Sequence, residues 1–323
     1  MKLLLITYLC GACLAAAAES LVPKVYTTTC DASGIVMLDD QYFAVANDED
    51  NIIRVYDRKV PGTPVKTVDL HSFLELKKKK KEVDFEGAAR MGNLVFFIGS
   101  HGCNADGKEA MERQRLIATE IVKDGGIPVV RPVGKPYKTL LADMFADPRL
   151  TRFNLPVASK LAPKLFGALD IEGLAATPEG HLLIGFRSPI PEGKALLVRM
   201  LNPLEVIEGK SPKFGEPIQL DLGGRGIRSM DLCGNRYVII AGSYDSKQNF
   251  QMYEWDGKTC QTMNGPDFTG FNPEGLCSID PEGRKFLIIS DDGTRMIDGC
   301  ECKSLTDGAL KRFRLLEWEP PAR

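Results

Sequence analysis

Histidine is scarce: the chain of 323 residues holds three, His71, His101 and His181. No His-Glu-x-x-His pair is present, so the usual helical zinc-hydrolase site is excluded. Equally absent are a Gly-x-Ser-x-Gly elbow, a phosphate loop ending in Gly-Lys-Ser/Thr and a dinucleotide fingerprint. That removes the motif-bearing serine hydrolases, P-loop enzymes and dinucleotide enzymes. Excess charge is lacking too. A net charge of -2 implies no polyanionic partner, and nucleic acid is not expected.

Long apolar runs are confined to the first residues. Lys2 followed by Leu3–Leu14, then Ala16-Ala17-Ala18 before Glu19, has the order of a secretory signal peptide, expected over 1–18. The run is too short for a membrane span, and no other stretch could form one. Cys10-Gly11-Ala12-Cys13 faintly resembles a lipoprotein box, but Cys10 stands where Leu is usual, so an anchor is not expected. The expected location is secreted or periplasmic. Of nine cysteines, seven remain after Cys10 and Cys13 are removed. No Cys-x-x-Cys pair remains to suggest zinc. In an oxidising compartment some of the seven should pair, and the odd number leaves at least one thiol over. Cys300 and Cys302 are too close to bridge each other without strain.

What the chain does have is a repeat. Asp170-Ile171-Glu172-Gly173-Leu174 leads through a Pro-Glu-Gly turn into the apolar run Leu182–Phe186. Asp84-Phe85-Glu86-Gly87-Ala88 leads into Leu94–Gly99, and Asn272-Pro273-Glu274-Gly275-Leu276 into Phe286–Ser290. Looser copies begin at Asp31-Ala32-Ser33-Gly34 and Gly226-Ile227-Arg228-Ser229. Each copy reads as four strands: the motif strand, a continuous apolar strand suited to burial on both faces, and two more set off by turn residues. The expected third strands lie at 52–56, 116–121, 195–199, 250–255 and 313–318, and the expected fourth strands at 65–68, 137–140 and 217–220. Four strands repeated around a ring is the propeller plan.

The chain is therefore expected to be all-β, a single propeller domain over 19–323 with five four-stranded blades. The lone strand Val25–Thr29 would close the ring as the last blade's outer strand, which removes an open sheet edge. Extra residues around 141–169 read as short helical or irregular pieces, a flap over one face. The alternative is that they form a sixth blade. Lys77–Lys81 is expected to be a solvated loop.

In an antiparallel blade the entry to the first strand and the exit from the second share one end. Ser33, Glu86, Glu172, Arg228 and Glu274 should then ring the channel mouth, surrounded by the exits at Asn47–Asp50, Ser100–Gly102, Arg187, Ser243–Asp245 and Asp291–Asp292. Glutamates converging on one axis repel unless something neutralises them. Glu86, Glu172 and Glu274 with Asn47 make an all-oxygen set that suits Ca²⁺. The alternative is structural: each Glu accepts hydrogen bonds from backbone N–H groups and Arg228, while its Gly permits a tight turn. Arg187, Arg228, Ser243, Asp291 and Asp292 are the candidate ligand-binding groups. His101 is the candidate general base, because His titrates near neutrality.

The segments Ala46-Asn47-Asp48-Glu49-Asp50-Asn51, Phe85–Arg90, Ile98-Gly99-Ser100-His101-Gly102, Ile171–Pro178, Leu220–Gly224 with Gly226–Ser229, and Phe271–Gly275 together resemble a family of exported, mostly bacterial proteins of unknown function. The resemblance covers nearly all of the chain after the signal and implies no activity. More distantly, Glu-Gly at the start of an inner strand is similar to gluconolactonase-type propellers, where such a Glu binds Ca²⁺, and the acidic segments are similar to phytase-like propellers. In this chain Ala or Leu follows Glu-Gly where the lactonases have Pro. Two functions are expected from these readings. One is a metal-dependent hydrolase of lactones or phosphate esters. The other is a non-enzymatic module, a monomer binding a small molecule, a glycan or a protein.

Overall fold

A computed structural model describes residues 21–76, 81–245, 247–280 and 282–320. The expected signal segment, most of the lysine run and the last three residues lie outside the described residues. Five four-stranded antiparallel sheets form the blades of a five-bladed propeller. Blade 1 is β2 (Ala32–Met37), β3 (Tyr42–Asn47), β4 (Ile52–Asp57) and β5 (Lys66–Asp69). Blade 2 is β6 (Phe85–Met91), β7 (Leu94–Gly99), β8 (Leu116–Asp124) and β9 (Ile127–Tyr137). Blade 3 is β10 (Asp170–Ala176), β11 (Leu182–Ser188), β12 (Ala195–Met200) and β13 (Ile218–Leu220). Blade 4 is β14 (Gly226–Cys233), β15 (Arg236–Gly242), β16 (Gln251–Trp255) and β17 (Cys260–Met263). Blade 5 is β18 (Pro273–Ser278), β19 (Phe286–Ser290), β22 (Arg312–Trp318) and β1 (Lys24–Thr27). A small hairpin, β20 (Met296–Ile297) with β21 (Cys300–Glu301), projects between β19 and β22.

The ring closes as the lone N-terminal strand suggested. β1 pairs with β22, with Tyr26 opposite Phe313. Tyr26 then sits at the seam against blade 1, with its ring 5.2 Å from both Phe43 and Tyr56. Apolar residues of each second strand fill the space between neighbouring blades. One buried cluster joins blades 1 and 2, and others follow around the ring to the seam between blades 5 and 1. This is why those strands read as unbroken apolar runs: both faces of each are covered.

A disulfide, Cys30–Cys302, ties the start of blade 1 to the loop of blade 5, and Cys103, Cys233, Cys260, Cys277 and Cys300 are free. No helix among the described residues is long and apolar enough to cross a membrane.

One expectation changes. The outer strand of blade 2 runs over Ile127–Tyr137, not 137–140. Gly125 and Gly126, both at positive φ, make a two-residue hairpin turn that pairs Asp124 directly with Ile127. Pro128, Pro132 and Pro136 disguise the strand, and its edge position tolerates them. The residues after it form no sixth blade. They hold α1 (Leu140–Ala146) and α2 (Leu155–Ala158), whose Leu140, Met144 and Leu155 are buried against the core of blades 2 and 3. The same insertion reaches the channel mouth with Pro163, Lys164 and Leu169.

Candidate site at the channel mouth

Every inner strand carries a register shift at its motif. The shifts fall between Phe85 and Gly87, Ile171 and Gly173, Ile227 and Ser229, Pro273 and Gly275, and Ala32 and Ile35. A bulge re-aims the extra residue out of the ladder. The residues at these bulges are Glu86, Glu172, Arg228 and Glu274, with Ser33-Gly34 in blade 1. The glycines after the glutamates serve close approach, not a tight turn. A Cβ on Gly275 would lie 2.5 Å from the Ser33 carbonyl oxygen of the next blade, and one on Gly87 would lie 2.9 Å from that of Glu172.

A cavity of about 330 Å³ opens here, with Glu86, Arg228, Glu274 and Arg187 in its lining beside the second-strand exits Asp48, Ser100, Asp245 and Asp291. Two arginines are threaded through the carboxylates. Arg187 Nη1 donates to Glu172 Oε1 at 2.6 Å and lies 3.6 Å from Asp170. Arg228 pairs with Glu274 and stands 3.8 Å from Glu172. Its guanidinium also sits over the Phe250 ring, 5.6 Å from the centroid. Glu172 is 2 % exposed, so this is a buried network.

Glu86 is different. Among the described residues no hydrogen bond or ion pair to its carboxylate is present. It belongs to two groups of three carboxylates whose oxygens lie within 4.8 Å of one another: Asp48, Asp84 and Glu86, and Glu86, Glu172 and Glu274. Burial, followed by the charges of Asp84 and Glu172, raises its pKa well above the carboxylate range. Asp48 rises in the same way, by burial and then Asp291, and its Oδ1 is buried without a partner. Asp84 is held at about 6, raised by burial and restrained by Arg113 at 2.8 Å.

Not all predicted site residues meet here. Asn47 is turned away: its Nδ2 donates to Thr29 Oγ1, and its Oδ1 accepts from the backbone N–H groups of Glu49 and Asp50. Asp292 is outside the lining, engaged by Arg314 at 2.6 Å and by Ser290. Ser243 offers its carbonyl to Arg187, and its hydroxyl donates to Asp245. His101 is 1 % exposed and forms no part of the lining. Its Nδ1 donates to the Gly99 carbonyl at 2.7 Å, and burial lowers its pKa to about 4. Burial keeps it neutral at pH 7, and the chain turns at His101 with φ of 57°.

The chain matches the family described as "Protein of unknown function (DUF3616)" over residues 31–122 and 133–267, more than half of its length. It belongs to that family. No protein of curated function matches it in sequence. Among solved structures it is similar to glutaminyl cyclase of Myxococcus xanthus, at 11% identity and a TM-score of 0.45, over 94% of this chain and 100% of that one. It is also similar to a gluconolactonase of Xanthomonas campestris, at 13% identity and a TM-score of 0.41, over 92% and 80%.

Sequence reasoning passed over three carboxylates of the cavity. Asp84 and Asp170 precede Glu86 and Glu172 by two residues in the recurring motif. That signal was available in the motif itself. Asp31 precedes Ser33 by two residues at the same motif position, and its backbone forms an isolated bridge with Asp291 of blade 5.

These carboxyls set a pH dependence. Burial and then Asp291 raise Asp31 to about 7, while burial and then Glu172 raise Asp170 to about 8, each from an ordinary 3.8. A carboxyl raised on folding binds more protons in the native state, so its contribution is complete below the unfolded pKa and is lost as pH rises through the folded one. In chelator, the melting temperature should fall between pH 5 and pH 8. A melting temperature that rises over that interval would contradict this assignment.

Proposed function

We propose that the channel mouth binds Ca²⁺ at Glu86, Asp48 and Asp84, and that the protein works there as a hydrolase of small lactones or phosphate esters. One observation carries the reading: Glu86 is a carboxylate without a cation, placed among other carboxylates, whereas Glu172 and Glu274 already have arginines. Removing such a group from water without a counter-charge is costly, and a bound cation would supply the missing charge. All-oxygen donors suit Ca²⁺. When bound, the ion would also favour negative charge developing on a substrate oxygen.

The rest falls to the chain's own groups. Asp170, at about 8, keeps its proton at neutral pH and lines the cavity, so it can hand that proton to a leaving oxygen. Arg187 and Arg228 fix the carboxylates around it. Of the two substrate classes, a neutral lactone suits the carboxylate-rich lining better than a phosphate dianion. The second reading, binding without turnover, is favoured by the position of His101 outside the cavity.

Ca²⁺ should raise the melting temperature. A ligand that binds only the folded state adds about 2.7 kcal/mol at a hundredfold excess over Kd. Glu86→Gln should melt at or slightly above wild type in chelator, because burial and the neighbouring charges already disfavour ionisation of Glu86, and should lose the Ca²⁺ shift. Metal analysis, melting with Ca²⁺ and with chelator, and a lactone and phosphoester screen test this. Purified protein free of metal, with no Ca²⁺ shift, would remove the cation. A Ca²⁺ shift without turnover of any ester would favour the binding module.

A further inference from the structure

Outside the network just described, one feature of the mouth is out of place for a soluble surface. Phe166 is 76% exposed, although it belongs to an insertion whose other large apolar side chains are mostly buried. Its ring stands edge-on to Tyr244, with centroids 5.6 Å apart. The pair spans two elements. Phe166 lies between the lining residues Lys164 and Leu169, and Tyr244 immediately precedes the lining residue Asp245. An aromatic wall therefore stands at the rim of a cavity whose floor is dominated by carboxylates. Leu165, 53% exposed, continues the apolar surface beside Phe166 and the Tyr244 ring, and a contiguous exposed apolar patch beside a polar cavity marks a binding surface.

The two surfaces call for one kind of ligand. The aromatic face needs an apolar surface to lie against it, and the carboxylates are acceptors that need hydroxyl donors. A purely apolar ligand would leave the carboxyls unpaired at a cost, and one without an apolar face would gain nothing from the aromatic wall. A sugar ring meets both demands, because its C–H face is apolar and its hydroxyls donate. We infer that Phe166, with Tyr244 behind it, is a stacking subsite for a neutral sugar ring whose hydroxyls point to the carboxylates of the channel mouth. This rests on the proposed site and names the class of ligand it takes: a neutral polyhydroxylated ring, as a free sugar, a glycan end or a sugar lactone.

The test is titration calorimetry in Ca²⁺ with methyl glucoside, methyl galactoside and cellobiose, on wild type, Phe166→Ala and Phe166→Trp. At least one sugar should bind wild type. Phe166→Ala should weaken it about tenfold, Phe166→Trp should restore or exceed wild-type affinity, and the melting temperatures should be unchanged because the ring is exposed. Turnover of δ-valerolactone, which has no hydroxyls, is measured alongside. Turnover or a Ca²⁺ shift without sugar binding would overturn the subsite and leave the proposed function standing. Equal affinity of Phe166→Ala and wild type would overturn it as well. Absence of sugar binding, lactone turnover and Ca²⁺ shift together would overturn both.

Discussion

Breaking the Cys30–Cys302 bridge should cost several kcal/mol of stability, the largest single effect expected in this fold. The two cysteines are 272 residues apart in sequence. In the chain-entropy picture a crosslink over about 100 residues is worth about 4.7 kcal/mol, so a loop of this length is worth about 5.6. The pairing of β1 with β22 does not make the bond redundant. That pairing is lost on unfolding, whereas the crosslink persists and restricts the unfolded chain. The bridge also holds the site. The Cys30 carbonyl accepts from Asp292 N–H, while Asp31 and Lys303, the residues next to the two cysteines, line the cavity. Urea unfolding of wild type with and without dithiothreitol, and of Cys30→Ala, should give a large fall in midpoint for the reduced and mutant proteins. Reductant should not lower Cys30→Ala further. Cys300→Ser, at an exposed free thiol, should match wild type. A reduced protein with the wild-type midpoint would show that the bridge contributes nothing.

The ring was legible because propeller strands declare themselves twice. The Glu-Gly entry marks the inner strand, and the apolar run marks its partner. Both recur often enough to count blades. The closing strand was legible because Val25–Thr29 had no partner of its own and β22 had no outer neighbour. What escaped depends on local geometry at the bulges and strand exits. Nothing in the spacing of Arg187 and Glu172 says that Arg187 will donate to it, because that contact depends on how far the bulge turns Glu172 out of the ladder. Asn47 looked like a ligand by composition, but its Oδ1 serves the turn at Glu49 and Asp50, the common local use of Asn at a strand exit. His101 was placed at the right end of its blade. A residue at positive φ leaves the line of its strand, and no periodicity foretells that.

Glu172→Gln separates the two roles in the ring and should be strongly destabilising with or without Ca²⁺. Among the described residues Glu172 is the one carboxylate that forms ion pairs with both arginines, with Arg187 at 2.6 Å and Arg228 Nε at 3.8 Å. Gln keeps the shape and can still accept from Arg187, but it leaves two buried guanidinium groups with one charge fewer between them. Removing one partner of a buried pair costs about 3–5 kcal/mol. The retained amide oxygen places this substitution near the lower end, at about 3 kcal/mol. Glu86→Gln makes the same change at a carboxyl without an arginine, whose ionisation its surroundings already disfavour, and its metal-free stability should stay level or rise. The two substitutions are chemically identical and lie in adjacent blades, so the opposite signs can come only from their partners. Melting or urea midpoints in chelator measure both. If Glu172→Gln matched or exceeded wild type in chelator while losing the Ca²⁺ shift, Glu86, Glu172 and Glu274 would hold the cation together. The arginines would then be counter-charges for an empty site, and the division of the ring into a salt-bridged plug and a cation pocket at Glu86 would have to be given up.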